Sequence, residues 1–287
     1  MNRWKLSIAG LPVAVTAEGS VRLDHVEARF GAFARCPWDD DLPPWQLAVR
    51  ATDDWAPPRP VLAPLPGADV RWLADDRVEL LRAYDLTTME LTARRVQSEG
   101  RTSVATVPVV DPTVVDTPLR FIASLGLPPH DGLLMHASGY ADDRGAVLFL
   151  ATSGGGKTTT ARKLPHAHVL SDDQVALRRV AGAWTAWALP FVGEYRRATV
   201  PRRGPLRALV ILAQGSEVRM ARLSPSAAIA PILRCVVNFA PGAHAARLLD
   251  LAADLAAAVP VTRLTLERST PMEPLLDALL APRAPDR

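Results

Sequence analysis

The chain has 287 residues, 48% of them apolar, with 33 Lys and Arg against 30 Asp and Glu for a net charge of +3, enough to core one large domain or two ordinary ones. No run of 18 or more apolar residues is free of charge and the N-terminus lacks a signal peptide's apolar stretch, so a soluble cytoplasmic protein with no membrane partner is expected. Cys36 and Cys235 stand far apart, excluding a disulfide framework or a zinc cluster; both read as reduced, buried small hydrophobes, and the arginines are too scattered to form a nucleic-acid patch.

In chain order, residues 1–110 read as a β-rich domain. "KLSIAG", "VAVTAE", "WQLAVRAT", "VRWLA" and "MELTARRV" are short alternating or β-branched runs, and the Pro-rich breakers "CPWDDDLPPW" and "WAPPRPVLAPLPG" separate them. Those prolines argue against a continuous parallel sheet. Trp38, Trp45 and Trp55 fall here, either as core or as a recognition surface. "DPTVVDTPLRFIASLGLPP" has the pattern of a helix closing at Gly126 and Pro128, and with it a second domain, 111–287, begins.

From residue 130 the pattern changes. "GAVLFLA" is the unbroken apolar run of a strand buried on both faces, "KTTTARKL" a short helix stopped near Pro165, and "HAHVLSDD" a second buried strand ending in two carboxylates. "QVALRRVAGAWTAWALP" alternates around Ala181 and Gly182 as a hairpin does, with Trp184 and Trp187 as packing residues. "LRALVILAQ" and "EVRMARL" are further strands. Two Ala/Leu-rich helices, the strand "VTRLTL" and the helix "PMEPLLDALLA" close the chain.

Between "GAVLFLA" and "KTTTARKL" lies the segment that carries chemistry, "ATSGGGKTT". Consecutive glycines let backbone N–H groups turn inward around phosphate oxygens without Cβ clashes, and the following helix points its positive end at the same anion. Ser153, Gly154, Gly155, Gly156, Lys157, Thr158 and Thr159 form the nucleotide-binding set. Lys157 supplies the ammonium for the β and γ phosphates, and Thr158 a hydroxyl for Mg2+. The chain has only three lysines, Lys5, Lys157 and Lys163, which makes the one inside the glycine loop hard to ascribe to chance. Ala151 departs from the GxxxxGK[ST] pattern, standing where the first glycine belongs.

Asp172 and Asp173 follow Lys157 closely, at the end of the next apolar strand. Parallel strands flanking a helix bring their C-terminal ends to one sheet edge, where open α/β sheets bind ligands. One carboxylate can hold Mg2+ and the other can accept a proton from an attacking hydroxyl. ATP and Mg2+ are therefore the expected cosubstrate and metal.

This short interval, with "LLMHAS" before it and "GEYRR" after it, resembles the HPr kinase/phosphorylase family, whose fold is akin to phosphoenolpyruvate carboxykinase. The likeness covers about residues 133–215. It implies an α/β fold, with a P-loop-containing, phosphoenolpyruvate carboxykinase-like C-terminal domain behind the β-rich N-terminal one. It further implies His136 beside the phosphates, Asp172 as proton acceptor, Asp173 as Mg2+ ligand and Glu194 as a further metal ligand, with Arg196 and Arg197 near phosphate charge. No RGxG-type loop follows the hairpin; "VPRRGPLRAL" offers Arg202, Arg203 and Gly204 in another order, so the likeness does not extend to HPr as substrate. With its β-rich N-terminal half the chain is more similar to kinases of peptide natural-product pathways, including those acting on lasso peptides. The expected activity is transfer of the γ-phosphoryl group to a hydroxyl of a peptide, protein or small molecule, and a homo-oligomer is compatible with the resemblance. A nucleotide-binding regulatory or scaffold protein without transfer chemistry is the alternative.

Overall fold

The computed structural model describes residues 3–18, 30–52, 70–72, 77–81, 86–92, 95–101, 113–152, 154–191, 193, 200–239, 244–267 and 269–281. The chain divides into two compact units, 1–126 with 238–243, and 127–237 with 244–287. The helix that the sequence places at the head of the second domain falls in the first of these units.

In the first unit, β1 (Arg3–Ile8) and β2 (Leu11–Glu18) form a hairpin whose two-residue turn, Ala9 and Gly10, has positive φ at both positions (52° and 86°). That turn matches the right-handed twist of the strands it joins. Next come β3 (Trp45–Thr52), β4 (Val70–Trp72), β5 (Arg77–Leu81), β6 (Leu86–Thr92), β7 (Arg95–Arg101) and α1 (Thr113–Gly126). The seven strands form one sheet in the order β1-β2-β3-β7-β6-β5-β4. Its centre is parallel, β2 with β3 and β3 with β7, whereas the outer pairings are antiparallel. The prolines therefore do not prevent a continuous sheet with a parallel centre, because those in the described breaker, Pro37, Pro43 and Pro44, lie outside the strands. Leu6, Ile8, Val13, Val15, Leu47 and Val49 are buried. Trp45 belongs to this core; Trp38 stacks under Lys5 at 4.6 Å, and Trp55 lies outside the described residues. Within α1 an Asp116–Arg120 ion pair, 2.7 Å, is buried among apolar neighbours. Cys36 is half-buried, more open than expected, and Cys235 is buried; neither forms a disulfide.

The second unit contains β8 (Gly132–Asp142), β9 (Gly145–Leu150), α2 (Lys157–Lys163), β10 (Val169–Ser171), β11 (Gln174–Val180), β12 (Ala183–Trp187), β13 (Arg203–Gln214), β14 (Arg219–Arg222), α3 (Pro225–Arg234), α4 (Ala245–Ala258), β15 (Val261–Leu266) and α5 (Glu273–Leu280). The Ala181-Gly182 turn closes the β11/β12 hairpin with positive φ at both residues, and Trp184 is buried with its indole N–H donated to Asp254 (2.9 Å).

One path of pairings positions everything that follows: β10-β8-β9-β13-β15-β14. β9 and β10 both run antiparallel to β8, one on each side of it, so they point the same way with β8 between them. β13 and β15 continue parallel to β9. The C-terminal ends of β10, β9, β13 and β15 thus share one edge. β9 is buried at every position, and its Val147 and Phe149 pack with Tyr140, Leu164, Val210, Met272, Leu276 and Leu280. α4 buries Leu248, Leu251, Ala252, Leu255 and Ala256, the i, i+3, i+4, i+7 and i+8 stripe of an amphipathic helix. Among the described residues no helix is long and apolar enough to cross a membrane. The architecture is mixed α/β.

Candidate functional site

The loop after β9 begins at Ala151, where the backbone leaves the sheet. Lys157 opens α2, and Gly156 caps that helix in the left-handed region, φ 97°. Gly154 is also left-handed, φ 75°, and neither glycine has another atom within 4 Å of where a Cβ would stand. Both positions thus need glycine for conformation while the space around them is open, which is what a backbone cradle for an anion requires. Gly155 is glycine for a different reason. A Cβ there would lie 2.6 Å from the Ala151 methyl and 3.0 Å from the Thr152 carbonyl oxygen, and its N–H donates to that same oxygen (3.0 Å). Ala151, the departure from the expected pattern, is accommodated by this close packing. Ser153 lies outside the described residues.

Lys157 is only 6% exposed. Its ammonium donates to the carbonyls of Ala151 (2.8 Å) and Thr152 (3.1 Å), which folds it over the loop and ties the loop's start to the first turn of the helix. Thr158 and Thr159 are half-buried on that first turn, and Thr160 donates its N–H to Gly156 O (2.8 Å).

On the other side of β8, Asp172 and Asp173 occupy the step between β10 and β11. The pairings Ser171 with Gly139 and Gln174 with His136 keep one register across this step. The Ser171 hydroxyl fixes the turn by accepting the N–H groups of Asp173 and Gln174, both at 3.1 Å. Ala137 N–H donates to Asp173 O (2.9 Å), and the Asp173 carboxylate lies 3.6 Å from His136 Nε2. Asp172 is buried, 8% exposed, and the backbone of Gly193 lies directly against it: a Cβ at 193 would sit 2.4 Å from Asp172 Oδ1. Glu194, Arg196 and Arg197 lie outside the described residues.

His136 links the two halves. Extending the β8/β9 register past Ala137 and Leu150 brings His136 opposite Ala151, while its other neighbour is Gln174. Where β9 ends, Cys235 to Val237 take over its edge of β8: His136 N–H donates to Cys235 O and Val237 N–H to Leu134 O, both 2.7 Å. Burial pushes the Cys235 thiol pKa up, against the opposing pull of the Lys157 and Arg234 charges.

The fold therefore gathers His136, Asp172, Asp173 and the loop from Gly154 to Thr159 at one end of β8, β9 and β10. It also brings in residues that the sequence did not single out. Gly193 was hidden beside the more conspicuous Glu194, and Cys235 acts through its backbone. Ser138 Oγ and Gln174 Oε1 are buried without a hydrogen-bond partner among the described residues, both within two positions of His136 or Asp173 along the paired strands. Buried polar atoms are usually satisfied, so these mark an incomplete polar network at the site.

Among the described residues no three His, Cys, Asp or Glu side chains converge as a metal cage. The donor set fits Mg2+ rather than a metal held by protein alone, since Mg2+ is commonly bound by one or two carboxylates together with substrate phosphates. The open glycine cradle fits a polyphosphate.

A solved structure, the Hpr(Ser) kinase/phosphatase from Coxiella burnetii, is similar at 11% identity, covering 51% of this chain and 87% of that chain with a TM-score of 0.31, a level that carries nothing about chemistry. No curated protein matches. A family model described as SynChlorMet cassette protein ScmC matches residues 125–268, from the end of α1 through β15, and as this is just over half of the chain, the protein belongs to the ScmC family.

Proposed function

We propose that the protein is a Mg-ATP-dependent phosphotransferase acting on a hydroxyl. The observation that carries this reading is the open glycine cradle at the start of α2, sharing one strand edge with the Asp172-Asp173 step. The loop amides of Gly154–Thr159 and the Lys157 ammonium would hold the phosphates. Thr158 and Asp173 would hold Mg2+, which when bound neutralises charge on the transferring phosphoryl group; Glu194 is assigned the same role from the family resemblance. Asp172 would take the proton of the acceptor hydroxyl as its oxygen bonds to the γ phosphorus and the bond to the β-phosphate oxygen breaks, releasing ADP. His136, 3.6 Å from Asp173, would position that carboxylate and lie beside the phosphates. Catalysis would come mostly from positioning and preorganised charge.

The acceptor that the resemblance to peptide natural-product kinases favours is a Ser or Thr of a peptide. The test is incubation with γ-labelled ATP and Mg2+ in the presence of peptides and metabolites from the protein's own cells, read by mass spectrometry. A labelled acceptor that vanishes with Lys157→Ala, and with Asp172→Asn while nucleotide still binds, supports the proposal. Mg-ATP binding with no labelled acceptor would replace it by the nucleotide-regulated binding protein.

A further inference from the structure

A cavity of about 500 Å³ shares the loop's other flank. Gly154, Gly155 and Gly156 form one wall, Leu212, Gln214 and Gly215 at the end of β13 a second, and Leu266 at the end of β15 with Met272 beyond it a third. Its volume falls within the range of small-molecule sites, about 300–1,000 Å³. Gly215 keeps the chain flat there, since a Cβ at this position would meet Thr265 Cγ2 at 2.3 Å. Lys163, which also lines the cavity, donates to Thr270 O (2.9 Å) and so ties the end of α2 to the segment between β15 and α5.

Strand order gives the cavity a direction. Along the edge the sequence is Asp172-Asp173 beside β8, then the loop on β9, then the cavity on β13 and β15. A triphosphate held by the loop with its γ end toward the carboxylates has its α end, and whatever is attached to it, directed toward β13. Leu212 and Leu266, both partly exposed, supply apolar surface for a planar ring, and the fully buried Met272 backs them from the core. The Gln214 side-chain amide, at the exposed end of β13, has both a donor and an acceptor for ring heteroatoms.

We infer that this cavity seats the nucleoside of the triphosphate, with Gln214 reading the base. The inference rests on the nucleotide reading proposed above and adds to it the place and the specificity-determining residue of the base. The phosphates and the base are thereby held by different strands, the phosphates by the β9 loop and the base by β13 and β15.

The experiment compares Mg-ATP with inorganic tripolyphosphate plus Mg2+ by calorimetry on the full chain, using wild type, Lys157→Ala and Gln214→Trp. Gln214 is exposed at a strand end, where an indole is compatible with the sheet and fills the cavity mouth. The expected result is that Gln214→Trp weakens Mg-ATP by about 10-fold or more while leaving tripolyphosphate unchanged, and that Lys157→Ala weakens both. Photolabelling of wild type by 8-azido-ATP should mark peptides containing 212–215 or 266–272. If Lys157→Ala weakens both ligands while Gln214→Trp weakens neither, or the label falls elsewhere, the base site is overturned and the phosphate loop stands. If wild type binds neither ligand, or Lys157→Ala binds both normally, the nucleotide reading falls and this inference with it.

Discussion

Replacing Gly155 by alanine tests the loop at the point where this sequence departs from the phosphate-loop pattern. The new Cβ would stand 2.6 Å from the Ala151 methyl, whereas carbon atoms pack best at about 3.5–4.0 Å, so one of the two segments must move by about 1 Å. The Thr152 carbonyl oxygen, 3.0 Å away, leaves little room on the other side. Overpacking of this kind costs about 1–3 kcal/mol, and at about 2–4 °C per kcal/mol for a unit of 150–250 residues the thermal midpoint should fall by about 2–12 °C. The movement also displaces Ala151 O and Thr152 O, the two acceptors of the Lys157 ammonium, so the stabilisation conferred by saturating Mg-ATP should shrink as well. The assay is differential scanning fluorimetry with and without Mg-ATP. Ala151→Gly removes the nearest obstacle, and Ala151→Gly with Gly155→Ala should recover most of both losses. An unchanged midpoint and nucleotide response in Gly155→Ala, or a double variant no better than the single one, would refute the close packing of residues 151 and 155.

Two further outcomes follow from neighbouring geometry. Gly193→Ala would put a Cβ 2.4 Å from Asp172 Oδ1 and push the carboxylate from its place, so phosphoryl transfer should drop by about 100-fold with Mg-ATP affinity nearly unchanged; normal turnover would remove Asp172 from the chemistry. At the far end of β8, burial of Asp142 opposes its ionisation, but N–H groups of Arg144 and the Tyr140 hydroxyl donate to it and hold its carboxyl below the usual 3.8. A depressed carboxyl adds stability that is fully present above its unfolded pKa and is lost as pH falls through the folded one. Asp142→Asn should therefore flatten the loss of thermal midpoint below about pH 4, and parallel acid limbs for variant and wild type would contradict it.

Local patterning made most elements of the second unit legible. The apolar run Gly145–Leu150, the Ala181-Gly182 turn and the 3.6-period stripe of α4 each carry their own signal within a few residues. Strand partners are a different matter, because a run such as "WQLAVRAT" is compatible with parallel or antiparallel neighbours. The parallel centre β2-β3-β7 joins segments far apart in sequence, and nothing local in them specifies it. Proline forbids a ladder hydrogen bond inside a strand, but at 37, 43 and 44 it stands between strands, where it forbids nothing. The membership of α1 in the first unit is likewise a matter of packing and not of composition.

The site was legible where a backbone requirement leaves a trace in residue type, and illegible where the requirement is spatial. Gly154 and Gly156 need left-handed backbone and Gly155 needs an absent methyl, so all three leave glycine in the sequence, though for two different reasons. Asp172 and Asp173 show themselves by closeness to Lys157. Gly193 answers to an aspartate twenty-one positions earlier, and one glycine among 17 does not announce that. The insertion of β8 between β9 and β10 matters most. In a simple strand-helix-strand unit the acidic strand would lie next to the loop strand. Here a third strand separates them and brings His136 between the loop and the carboxylates, with Gln174 on one side and Ala151 on the other. The same insertion widens the edge between the loop and the two carboxylates by one strand spacing, about 4.8 Å, and under the proposed reading that extra width is the room an acceptor would need between them.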